Sequence, residues 1–249
     1  MNDYKYKNNY IKKVISKIDF ASPTDFFTPD SLAEAVAEIK KRFPISEQGT
    51  ASQQSIEIGP AGSKTEKIDF PEWIFHGSDR SKYLKVNKLF IEILLTKYIS
   101  ESSYREDLVT PIQHLLKINP KMTIQRTGVR FINIFDFKMD KPSDSTKYFH
   151  DSLTGIYKNM PNIESCSRSF LVNEFVFEDI KLRSQSGFFN PDYPAVIKRN
   201  QFVLDIDAYI DFPHLINDVN SYFARIHDLV EEVFEASITQ ALRDEVLNG

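Results

Sequence analysis

The spacing of apolar and polar positions divides the chain into extended and helical stretches. Residues 201–210 alternate with a period of two. Phe202, Leu204, Ile206, Ala208 and Ile210 fall on one side, and Asp205, Asp207 and Tyr209 on the other. Successive side chains of a strand point to opposite faces, so this pattern predicts a strand with one buried face. Residues 123–137 repeat it: Val129, Phe131, Phe135 and Phe137 share a face with Asn133, while Arg126, Gly128 and Arg130 share the other. Residues 10–20 mix two periods and read as a first strand. Residues 70–75, a turn at 76–79 and residues 83–98 read as an antiparallel meander, and the apolar parity changes at Asn87-Lys88, the mark of a bulge or turn. Residues 46–55 and 59–66, rich in Ser, Gln, Gly and Thr, read as mobile loops around a short strand at Ile56 and Ile58. Residues 170–182 read as one long strand followed by turns at 184–187 and 190–194.

Helical spacing occurs in three places. Thr28-Pro29-Asp30 makes a helix start, with Leu32, Val36 and Ile39 as its stripe and Phe43-Pro44 as its end. Ser103 and Glu106 have capping-box spacing ahead of Leu108, Ile112 and Leu115, and Pro111 predicts a kink or a restart capped by Thr110. Residues 213–247 contain no internal Gly or Pro. Val219, Ile226 and Val233, widened by Phe223 and Val230, predict a long helix lying across a sheet, its end reaching towards a partner. The polar stretch 138–162 reads as a linker with a short helix near 153–157.

The fold expected is α+β, a mainly antiparallel sheet with a long C-terminal helix across it. It is read as one composite domain over 1–249; the alternative division is subdomains 1–138 and 166–249 joined by a linker 139–165, each half reading as strands followed by a helix. Of 249 residues, 41% are hydrophobic and 20 are Phe, ample for such a core.

Charge and composition then narrow the chemistry. A net charge of −4 gives no general pull towards nucleic acid or an anionic membrane. Lys12, Lys13, Lys17, Lys198 and Arg199 read as solvated surface. The lone Cys166 allows no intramolecular disulfide, and neither a signal peptide nor a long apolar run is seen, so a cytoplasmic protein without a membrane span is expected. Only eight glycines are present, and no P-loop, dinucleotide or nucleophile-elbow motif, so no cofactor is expected. The five histidines, at 76, 114, 150, 214 and 227, lack zinc-helix spacing. Asp205 and Asp207 project from one strand face. They could share a divalent metal through hard oxygen ligands, or pair with Arg126 and Arg130 in a cross-strand ladder. Glu235 and Thr239 lie one turn apart, set either to recognise a partner or to tie the helix end to Arg130. Trp73 reads as a core or interface anchor.

Four segments together carry a family resemblance. They are Asn9-Tyr10-Ile11 with Val14-Ile15 and Ile18-Asp19-Phe20, then Arg126-Thr127-Gly128-Val129-Arg130-Phe131-Ile132-Asn133, then Leu204-Asp205-Ile206-Asp207, and Phe234-Glu235-Ala236-Ser237-Ile238-Thr239. On these the chain resembles a family of sporadically distributed prokaryotic proteins of about this length, although Val129 and Phe131 stand where leucine and tyrosine are usual. The resemblance implies a stand-alone prokaryotic protein and no known reaction. The function expected is a non-enzymatic binding protein in a small prokaryotic module, for defence or toxin neutralisation, acting on a protein partner or as a homodimer through the long helix. The alternative is a metal-dependent hydrolase or nuclease using Asp205, Asp207 and an arginine.

Overall fold

In the computed structural model, which describes residues 6–24, 29–59 and 62–249, ten strands pair in a mostly antiparallel sheet. The chain divides into two compact units, each assembled from distant segments. The first holds Ile15–Thr127 and Asp211–Asn220; the second holds Met1–Val14, Gly128–Ile210 and Ser221–Gly249. Strands β1 (Ile11–Phe20) and β6 (Thr123–Phe135) form where their patterns predict.

In the first unit the hydrogen-bonded order is β2 (Ile45–Gly59), β3 (Gly62–His76), β4 (Lys82–Asn87), β5 (Phe90–Leu95), β1, β6, with the two-residue β10 (His214–Leu215) on β6. The meander is as predicted. Its turn at Asn87 is closed by the Asn87 Oδ1, which accepts from the Leu89 and Phe90 amides. The described residues of 46–55 and 59–66 are not loops. They form most of a hairpin of two 15-residue strands paired from Ile45↔His76 to Gly59↔Gly62. Its described side chains from Gln48 to Asp69 are exposed almost throughout, so among the described residues of this stretch no buried face gives the sequence a period.

Helix α1 (Pro29–Arg42) ends where Phe43-Pro44 predicts; the proposed cap Thr28 lies outside the described residues. Helix α2 (Glu101–Ile118) starts one turn earlier than expected. Ser100 is the cap, its hydroxyl accepting from the Ser103 amide, and Pro111 sits inside a continuous helix. Tyr104, Leu108, Ile112 and Leu115 are buried. Between α1, α2 and β4 the carboxylate of Asp107 accepts from Arg42 and from Lys82, whose ammonium also lies 4.5 Å from the Phe43 ring centre. A carboxylate this buried is retained because two cations meet it.

In the second unit the order is β1, β6, β9 (Phe202–Ile210), β8 (Ile180–Phe188), β7 (Ser169–Phe177). The predicted single strand 170–182 is a hairpin instead. The chain reverses at Glu178-Asp179, with Glu178 at φ 55°, in the left-handed region. The predicted turn 184–187 lies inside β8. Gly187 there has φ 139°, and a Cβ would overlap the Ser169 carbonyl oxygen, so glycine marks a close backbone approach rather than a reversal. Residues 139–165 hold α3 (Ser145–Tyr148), α4 (Asp151–Asn159) and two 3-10 turns. They supply core aromatics: Phe149 stacks on Phe202 at 4.0 Å, and Tyr157 meets Phe188 edge-on at 5.2 Å.

Helix α5 (Val219–Ser237) packs on β6 and β9. Phe223, Ile226 and Val230 are buried with Leu204, Ile206 and Ala208 beneath, and His227 meets the Phe131 ring edge-on at 5.8 Å. It is shorter than the 213–247 helix expected. At its start, β10 and a 3-10 turn (Ile216–Asp218) precede it; His214 is held by Thr127 at Nε2 and by the Phe212 carbonyl at Nδ1. At its end, Ile238 bridges Phe149, and Thr239 caps the short α6 (Gln240–Leu242). The tail therefore folds back on its own unit.

Candidate functional site

The outward face of β9 in the second unit carries the predicted acids. Asp205, 8% exposed, accepts from Arg130 Nε at 2.8 Å and Nη2 at 2.6 Å, a bidentate pair across β6 and β9. The Asp205 hydrogen bond is the leading reason that the Arg130 guanidinium is held above its ordinary range. One pair along, the register sets Arg183 opposite Asp207 and Glu174 opposite Arg183, with Arg183 Nε 3.8 Å from Glu174. Acids and bases thus alternate across β9, β8 and β7. Each Asp205 oxygen accepts one guanidinium N–H, so the charge and part of the lone-pair capacity that a metal would use are already engaged by Arg130.

The other predicted residues separate from this ladder. Asn133 lies on the buried side of β6 and donates to the Leu204 carbonyl at 3.1 Å. Arg126 belongs to the first unit, where it lies 3.9 Å from Asp19. Glu235 does not reach Arg130. It accepts from Arg243 Nη2 at 2.8 Å and from the Tyr6 hydroxyl at 2.6 Å, and burial, then Glu235, push the Tyr6 hydroxyl above its ordinary range. Thr239 donates to the Lys147 carbonyl at 2.7 Å. Glu235 and Thr239 thus fasten the chain end. Trp73 is half-buried and stacks on Phe75 at 6.2 Å.

On α5, His227, Asp228 and Glu231 bring three ligand atoms within 4.8 Å of one another, and among the described residues no fourth joins them. Three ligands from one helix leave a tetrahedral or larger coordination sphere open.

The feature that sequence reasoning missed is β7. Among the described residues it pairs only with β8. Leu171, Val172, Phe175, Val176 and Phe177 are exposed, Val176 at 72%. Because neighbours on a strand point oppositely, these residues make both faces of β7 apolar. Its only charge is Glu174. Soluble proteins usually blunt an edge strand with lysine, proline or a bulge, and β7 has neither residue. The signal was present as two apolar triplets, Phe170-Leu171-Val172 and Phe175-Val176-Phe177, with no alternation.

A scan against protein-family models finds no match to this chain, and a search of curated proteins finds none either. No described helix is long and apolar enough to cross a membrane.

Proposed function

We propose that the chain is a non-enzymatic binding protein that engages a protein partner by adding a strand to β7. The observation that carries this is the uncovered, two-sided apolar edge of β7. An open edge offers a row of backbone donors and acceptors, and apolar side chains on both faces supply burial when a second strand arrives. The family resemblance supports placing it in a small prokaryotic module, for defence or toxin neutralisation. The apolar row of α5 is spent on its own sheet, which moves the partner surface from the long helix to β7. The metal-dependent hydrolase is the second reading, and the Arg130–Asp205 pair counts against it.

The test is hydrogen exchange of the protein alone and with a partner recovered from its host, beside calorimetry with Mg²⁺ and Mn²⁺. Protection confined to residues 169–177 in the assembly, whether the partner is a host protein or a second copy, is the expected result. Protection elsewhere, or metal binding lost in Asp207→Asn, would sink the reading.

A further inference from the structure

The chemistry of β7 also points to what covers it. Resting on the reading that this edge is the binding element, we propose that its occupant is β7 of a second copy, paired antiparallel about a two-fold axis at Asn173. Three observations carry this.

The first is geometric. Phe177↔Ile180 closes a two-residue hairpin, so Phe177 and every second residue before it bond to β8. The backbone groups of Phe170, Val172, Glu174 and Val176 therefore face outward. In a two-fold pair centred on Asn173, Phe170 meets Val176 and Val172 meets Glu174, each twice. That gives roughly eight backbone hydrogen bonds, within the number a typical specific interface makes.

The second is side-chain pairing. The same register sets Leu171 against Phe175 on one face and Phe170 against Val176 on the other. Aromatic–aliphatic pairs of this kind are favourable cross-strand neighbours. The third is charge. Glu174 is the strand's only charge, and Arg183 of its own β8 already lies 3.8 Å away. Centred on Asn173, Glu174 meets Val172. Centred on Glu174, it would meet its own copy, and like charges directly opposite repel. An acidic or basic partner would find no charge row to read, whereas a second copy brings the matching apolar strand and sets its own Glu174 against Val172.

The experiment uses the full chain with Cys166→Ser. Asn173→Cys places two thiols across the axis at a Cα separation of about 4.5 Å, within disulfide reach. Val176→Cys places its pair about 20 Å apart, six residues out of register. Light scattering should show a dimer, Asn173→Cys should cross-link at least tenfold faster than Val176→Cys, and Val176→Lys, at a highly exposed position, should weaken the dimer at least tenfold while leaving the circular dichroism unchanged. A dimer that survives Val176→Lys, or equal cross-linking at both positions, overturns the proposal. A monomer at 100 µM, roughly a hundred times a micromolar dissociation constant, also overturns it. If that monomer's residues 169–177 are protected by a different protein, strand addition at β7 stands and only self-pairing falls; protection elsewhere removes both.

Discussion

Among the described residues, strands β2 and β7 each have a ladder partner on one side only, and they meet water with opposite chemistry. In β2, positions 49–54 are Gly, Thr, Ala, Ser and Gln, exposed except for the half-buried Ala51, and they face Glu72, Asp69 and Lys67 of β3 as well as Pro71, Phe70 and Ile68. In β7 the exposed positions are Leu, Val and Phe. The β2–β3 hairpin needs no apolar cover. Its stability rests on its own ladder and on contacts such as Ser52 Oγ to Asp69. The β7–β8 hairpin is fastened from outside: Arg225 of α5 donates to Asp179 at 2.8 Å, and Tyr157 of α4 donates to Ser169 at 3.1 Å. An edge can stay in solution by being polar or by being covered. The first unit shows the former, and β7 has the composition of an edge that is covered.

The sharpest way to break this contrast is at glycine. Gly187→Ala forces a side chain onto the Ser169 carbonyl from a backbone that favours glycine, and should cost about 3 kcal/mol. Gly49→Ala meets nothing nearer than the Glu72 carbonyl at 4.0 Å and should stabilise by about 0.5 kcal/mol, since a strand-interior glycine is entropically costly. Urea unfolding measures both. Equal effects would mean that β8 does not approach β7 as described.

A second test converts one edge into the other. Valines at Gln48 and Gln53 make part of β2 apolar. They should produce concentration-dependent association at least tenfold stronger than the parent's, about 1.4 kcal/mol, read by sedimentation velocity. Unchanged sedimentation would show that apolar edge chemistry does not drive association in this chain.

These contrasts also explain which parts of the fold could be read from the sequence. Strands β6 and β9 were legible because one face of each is buried, so Val129, Phe131, Leu204 and Ile206 repeat at two. The Arg130–Asp205 pair followed from the same parity. The β2–β3 hairpin was not legible because both its faces meet water, leaving composition that imitates a loop. In β7–β8 the reversal falls at Glu178-Asp179, where no glycine or proline announces it, while Gly187 imitates a turn from inside a strand. The end of α5 was hidden for another reason: Ile238 and Thr239 continue the helical spacing, and the bonds that end the helix reach distant residues, Phe149, His150, Tyr148 and Lys147. That β7 is an edge is a long-range fact of strand order, and no local pattern records it.

A third, smaller effect concerns the Glu178 backbone. A left-handed residue other than glycine or asparagine carries strain, so Glu178→Asn should stabilise by about 0.5 kcal/mol in thermal unfolding. A loss of stability would mean that the 3.4 Å contact from Arg225 to Glu178 outweighs the strain relieved.

The smallest effect separates the two hairpins by what holds their carboxylates. Asp69 is kept below its ordinary value of 3.8 first by the Ser52 hydroxyl and then by Lys67. Asp179 is kept below the same value first by its hydrogen bond from Arg225, a charged donor on another element. Both are depressed, so both favour the folded state above pH 3.8 and lose that contribution as the pH falls through the lowered folded-state values. Carboxyl-carbon NMR titration should show Asp69 rising towards its ordinary value in Ser52→Ala and Asp179 rising in Arg225→Ala. At 1 M salt, where the screening length is about 3 Å, Asp179 should recover more of its shift than Asp69, because a neutral hydroxyl donor is not screened. Asp69 returning to its ordinary value in salt with Ser52 intact would show that Lys67, not the cross-strand hydroxyl, holds it, and the first hairpin would then depend on charge as much as the second.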